Sequence, residues 1–249
     1  MAEEKELRHA NHPWTVKVVT LFPEMFPGTL GHSLVGKALK KNLWSLDIIN
    51  LREFASDERK TVDGPPAGGG AGLVLRADVL DRAIRHIKSS SSYIRQEWPI
   101  IALSPRGKVF DQEMAASFSK CKGLILICGR YEGFDERILE FHQIPEISIG
   151  DFIISGGEIA AQALIDSTVR LIPHVVGNQN SLLEESFSEG LLEYPHYTSP
   201  RIWQNLPIPD ELLSGNHKNI RQWRNKKSEE ITKIRRPDMW VKYQRLKNT

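Results

Sequence analysis

The residues best placed by type and spacing to hold a ligand fall between positions 128 and 158. Leu124 to Cys128 is an apolar run that leads into Gly129-Arg130-Tyr131-Glu132-Gly133, and Ile147 to Ile149 leads into Gly150-Asp151, with Gly156-Gly157 shortly after. Glycine lets a backbone approach a ligand where a Cβ would clash. In open α/β sheets such sites lie at the carboxyl ends of strands. The stretch holds no Gly-x-Gly-x-x-Gly and no Walker motif, so the usual dinucleotide and nucleotide-phosphate readings fail. Tyr131 and Glu132 are the side chains there with chemistry to offer. Downstream, Arg170 stands near a helix end and Glu184-Glu185 form an acidic pair. The two cysteines, Cys121 and Cys128, lack metal-ligand spacing, which points to structural thiols in a reduced, cytosolic chain.

Positioning such turns takes strands, and the chain supplies them. Thr15 to Leu21, Leu46 to Leu51, Pro99 to Leu103 and Leu124 to Cys128 are short apolar runs. Helical patterns over 34–43, 79–88 and from Asp111 to about Lys122 alternate with them, so the class is α/β with a largely parallel sheet. Asp78 is expected to cap the 79–88 helix. Strand ends carry turns at 103–107, 128–133 and 149–157; side by side, the three would enclose one cleft. Residues 56–73 form a long irregular loop with Gly68, Gly69, Gly70 and Gly72, anchored by Val62, Leu73, Val74 and Leu75. Loops of that length are usually functional. Ser89 to Ser92 reads as a flexible tip. A helix runs from Glu158 to Pro173, and its Ala160, Ala161 and Ala163 suit either a core contact or a subunit interface.

The expected domain plan is a loose extension over 1–13, a catalytic body over 14–173, a linker or lid over 174–195 and a helical region over 196–249. From Tyr197 onward the chain has twelve Lys and Arg against five Asp and Glu, leaving 21 against 26 elsewhere. A basic C-terminal fifth on a mildly acidic body fits a module for a polyanion, or else a solvated helix surface. The basic helix, 219–234, has Ile220, Trp223, Ile231 and Ile234 as apolar positions. No stretch is apolar enough for a membrane span, and the N-terminus lacks the apolar core of a signal peptide.

Several motifs stand in order: Pro23-Glu24-Met25-Phe26, Thr61-Val62-Asp63, Gly68-Gly69-Gly70-x-Gly72, Leu103-Ser104-Pro105-x-Gly107, Cys128 to Gly133, Ser148-Ile149-Gly150-Asp151, Ser155-Gly156-Gly157-Glu158, Pro195-His196-Tyr197-Thr198 and Leu213-Ser214-Gly215-Asn216-His217. Together they resemble bacterial tRNA (guanine-N1-)-methyltransferase of the SPOUT superfamily, over residues 15 to about 240. The resemblance implies an α/β domain with a deep trefoil knot, which bottom-up fold rules would reject as rare. It also implies S-adenosylmethionine as methyl donor, S-adenosylhomocysteine as product, and a cytoplasmic homodimer with sites at the subunit interface. The implied reaction is methylation of N1 of the tRNA guanine just 3′ of the anticodon, after another guanine, and it supports reading-frame maintenance. Another SPOUT-type RNA methyltransferase, or a tRNA-binding protein whose catalysis has lapsed, are the alternatives.

By the same resemblance, Glu185 matches the family's general base, with Glu184 as fallback, and Arg170 matches its guanine-orienting arginine. The cofactor pocket maps to Leu103, Ser104 and Pro105, to Gly129, Arg130, Tyr131, Glu132 and Gly133, and to Ile149, Gly150, Asp151, Phe152, Ile153, Ile154, Gly156 and Gly157. The chain departs from the family in several places. Glu185 stands for the usual aspartate, Ala102 for an aromatic, Gly64 and Ala67 for an acid and a tyrosine, and Ser199 for an arginine. No metal-ligand cluster is evident; whether Mg2+ takes part is not readable from the sequence, and an ion held by the RNA is left open.

Overall fold

The computed structural model describes residues 13–90, 98–178, 182 and 184–247. All but Pro13 of the expected N-terminal extension, and Ser91-Ser92 of the serine tip, lie outside the described residues. The chain divides at Gly177/Asn178 into two compact units.

The first unit is built on five parallel strands: β1 (Trp14–Thr20), β2 (Trp44–Asn50), β5 (Ile100–Val109), β6 (Gly123–Cys128) and β7 (Glu146–Ser148), in the order β2-β1-β6-β5-β7. The strand period of two sorts their side chains to opposite faces. On one face Val16, Val18, Ile101, Leu103, Leu124 and Leu126 join residues of α1 (Ser33–Lys40) and α5 (Gly157–Val169), with Met114 and Phe118 of α3 (Gln112–Lys120) packed against them. On the other, Val19, Ala102, Ile125 and Ile127 meet α2 (Ala77–Ser89) and α4 (Glu136–His142). All six residues of β6 are buried. A strand covered on both faces reads as a continuous apolar run, which is what Leu124 to Cys128 is.

Three local outcomes differ from expectation. The Ser104–Gly107 segment does not end its strand: β5 continues to Val109, with an irregularity between Leu103 and Lys108 while both face Ile147. Asp78 does not cap α2; it sits in the first turn, held by Arg76 at 3.0 Å and Arg82 at 3.2 Å. Helix α4 was not foreseen, although Asp135 caps it by accepting from the Arg137 N–H at 3.1 Å. The glycine-rich loop has a regular base, because β3 (Asp63–Gly64) pairs antiparallel with β4 (Val74–Leu75). Of its anchors, Val62 and Leu75 are buried.

The second unit carries a hairpin of β8 (Ile202–Trp203) and β9 (Leu206–Pro207), then α6 (Asp210–Leu213), α7 (His217–Arg235) and α8 (Pro237–Lys247). Among its described residues Trp223 is the one buried apolar side chain; Ile234, expected to be apolar core, is 80% exposed. Polar contacts hold the rest. Thr232, fully buried, donates to the Ser228 carbonyl at 2.6 Å and accepts from the Leu192 N–H at 2.8 Å. Glu229 receives Lys247 at 2.9 Å, and Asn216 caps α7.

Candidate active site

The strand order makes β6, β5 and β7 neighbours, so their carboxyl-end turns converge. They enclose a cavity of about 430 Å³ lined by 103–106, 129–134, 146–150, 152–157 and Ala160. That size suits a small cofactor. Every expected cofactor residue borders it except Asp151, which is exposed to solvent. The sequence reading missed Arg106, Phe134, Glu146, Ile147, Ser148, Ser155 and Ala160. The expected residues border them in sequence, so a wider window around each turn would have found most of them.

Backbone contact shapes the walls. A Cβ on Gly157 would lie 2.8 Å from Cys128 Cα and Gly129 N, and the Gly157 N–H donates to the Gly129 carbonyl at 2.8 Å. A Cβ on Gly107 would come within 2.3 Å of the Glu146–Ile147 peptide. Side chains longer than hydrogen cannot occupy these crossings, so glycine is set by packing there.

The glycine-rich loop docks on the cavity wall. The Glu132 N–H donates to the Leu73 carbonyl and the Leu75 N–H to the Gly133 carbonyl, both at 2.9 Å. The Glu132 carboxylate lies against Gly72, where a Cβ would be 2.2 Å from Oε1. Tyr131 sits at φ +56° and its phenol is pushed up by burial and by a hydrogen bond with Asp63 of β3. The Arg130 guanidinium is engaged by protein, donating to the Ser155 carbonyl at 3.1 Å. Burial drives the Cys128 thiol well above its usual range, which makes it an inert core group. Among the described residues no group of three His, Cys, Asp or Glu stands together to hold a metal ion, and no helix is long and apolar enough to cross a membrane.

Arg170 follows the last turn of α5, whose first turn forms part of the cavity wall. At 1.5 Å per helical residue it stands roughly 15–20 Å along the axis from the wall residues Ala160 and Gly157. Glu185 belongs to the second unit and is half-buried. Its neighbour Glu184 has Oε2 occupied, by the Tyr194 hydroxyl at 2.7 Å and Arg224 at 3.2 Å.

A family model described as tRNA (Guanine-1)-methyltransferase TrmD matches residues 14–242. Among curated proteins, the tRNA (guanine-N(1)-)-methyltransferase of Ruegeria sp. (strain TM1040) is 57% identical over 235 residues, 94% of this chain and 95% of the relative. The one from Cereibacter sphaeroides is 56% identical over 230 residues, 92% of each chain. The one from Rhodospirillum rubrum is 51% identical over 226 residues, 91% of this chain and 92% of that one. With a parallel sheet and a cavity at the strand ends behind it, this match settles the kinship: the chain is an enzyme of the tRNA (guanine-1)-methyltransferase family.

Proposed function

We propose that this enzyme methylates N1 of the guanine immediately 3′ of the tRNA anticodon (position 37), where another guanine precedes it, and so supports reading-frame maintenance. The observation that carries the reading is the cavity at the ends of three adjacent strands in a chain matched to the family over nearly its whole length. The cavity's residues fit S-adenosylmethionine: Leu103, Ile149 and Ile154 offer apolar walls for a flat ring, the glycine turns offer backbone groups, and Glu132 offers a negative charge. That cofactor supplies a sulfonium methyl that is already an activated electrophile. The protein's task is to align the acceptor and exclude water.

N1 of neutral guanine carries a hydrogen. Glu185 takes that proton as the new bond forms, help worth roughly 10²–10⁴-fold. Arg170 steadies the charge that develops on O6. Both residues belong to the subunit opposite the cofactor. The distance of Arg170 from its own cavity wall along α5 supports that assignment. So do the exposed Phe152, Ile153 and Ile159 beside the cavity, which suit a homodimer interface. The close crossings at Gly107 and Gly157 support a SPOUT-type trefoil knot. The basic 196–249 region grips the tRNA, and 174–195 serves as the linker or lid before it. The free thiols Cys121 and Cys128 accord with a reducing cytoplasm.

Transfer of tritiated methyl from S-adenosylmethionine to unmodified tRNA, followed by nucleoside analysis, tests the reaction. Label in N1-methylguanine is expected, falling by 10²-fold or more in Glu185→Ala. Absence of that nucleoside with a competent tRNA sinks the reading.

A further inference from the structure

Glu158 is fully buried at the start of α5, an unusual place for a carboxylate. Its Oε1 accepts from the Thr20 hydroxyl at 2.7 Å, at the end of β1. Its Oε2 lies 2.9 Å from Arg130 Nε, as an ion pair whose N–H does not point at the oxygen. Arg130 is itself only 14% exposed. One terminal nitrogen donates to the Ser155 carbonyl at 3.1 Å and the other reaches Met25 Sδ at 3.4 Å, while its carbon stands 4.2 Å from the centre of the Phe22 ring. A Cβ on Gly156 would be 2.2 Å from Arg130 Nε, so the second turn lies directly on the guanidinium.

One cation thus joins three segments: the 129–133 turn that bears it, the 149–157 turn whose carbonyl it holds, and the Phe22–Met25 turn after β1. A buried ion pair is a poor device for stability alone, since apolar residues of similar volume often do as well or better. It does fix geometry, because a guanidinium offers its donors in a rigid fork. We propose that Arg130 and Glu158 are positioning residues: together they set the spacing of the two turns that form the cofactor cavity, without either touching the reacting atoms. The proposal rests on the cavity being the S-adenosylmethionine site.

The test compares Arg130→Lys, Glu158→Gln and the double variant Arg130→Met/Glu158→Gln with the parent enzyme. S-adenosylmethionine affinity is read by calorimetry, stability by thermal unfolding, and mobility by amide exchange over 150–157. Removing both charges should return the double variant's Tm close to the parent's, yet leave its cofactor Kd raised at least about 10-fold. A double variant with restored Tm and parental Kd would overturn the proposal. Should the double variant not fold, Arg130→Lys decides: it keeps a cation beside Glu158 but loses the fork to Ser155. It should weaken cofactor binding and speed exchange over 150–157. Parental affinity and exchange in that variant would end the idea. A parent enzyme that binds no S-adenosylmethionine refutes the cavity assignment instead, and exchange over 150–157 then judges the strut alone: faster in Arg130→Lys upholds it, unchanged rejects it.

Discussion

The two units of this chain are stabilised in different ways. The sheet unit buries β6 entirely and lays apolar side chains on both faces, so its framework is dry and rigid. In the C-terminal unit Trp223 is the one buried apolar side chain among the described residues, and Thr232, Ser228 and surface ion pairs hold the rest. The contrast matches the tasks proposed for them. A small cofactor needs walls fixed to a fraction of an ångström, which backbone crossings within an apolar framework provide. A nucleic acid needs a broad basic surface, which α7 and α8 provide at the expense of a core.

Four experiments break or sharpen this contrast. The largest effect on ligand binding belongs to Gly157→Val, whose side chain would collide with the backbone at Cys128–Gly129. Cofactor affinity should fall by about 100-fold or more, about 2.8 kcal/mol, while the C-terminal unit's unfolding is unchanged; retained affinity in calorimetry would show that the crossing can relax. Next, Trp223→Ala should cost the C-terminal unit about 3–5 kcal/mol. Thermal unfolding should then separate into two transitions, with tRNA binding lost and S-adenosylmethionine binding kept; parallel loss of both would show the units to be energetically one. Third, Thr232→Val removes the acceptor of the half-buried Leu192 N–H and should cost about 1–3 kcal/mol. A shift in denaturant midpoint without a change in slope is the expected signature.

The smallest effect is a pH dependence. Burial, with the hydrogen bond to Glu184 behind it, pushes the Tyr194 hydroxyl from 10.0 up to about 12. A folded-state value above the unfolded one means the contribution is fully present below pH 10 and is lost as pH climbs toward 12. The C-terminal transition should weaken across that window, and Tyr194→Phe should flatten the slope. A slope unchanged by that substitution would assign it to another group.

Much of the sheet unit was legible because burial on both faces leaves continuous apolar runs, and the turns after them are marked by glycine. The convergence of those turns could be posed only conditionally from the sequence; it needed the strand order that places β6, β5 and β7 together. The continuation of β5 past Ser104-Pro105 was not legible, since it depends on a long-range crossing with Glu146–Ile147 and on no local preference. In the C-terminal unit the charge was readable but the packing was not. Ile220, Trp223, Ile231 and Ile234 look alike as a helical stripe, yet only Trp223 becomes buried. A stripe identifies a core only when there is enough partner surface to cover it. Of the site residues, the backbone-defined pocket was the easier part. Arg170 and Glu185 were reached through resemblance, because neither lies in a glycine turn and no local pattern marks them.

The double pairing of Ile147, which faces both Leu103 and Lys108, has a consequence for solubility. β7 ends the sheet and is only three residues long, a short edge of the kind that resists pairing with strands from other molecules. Its partner β5 goes on pairing parallel to it past the irregularity, through Lys108 and Val109. A border so short gives cross-β growth little main chain to build on.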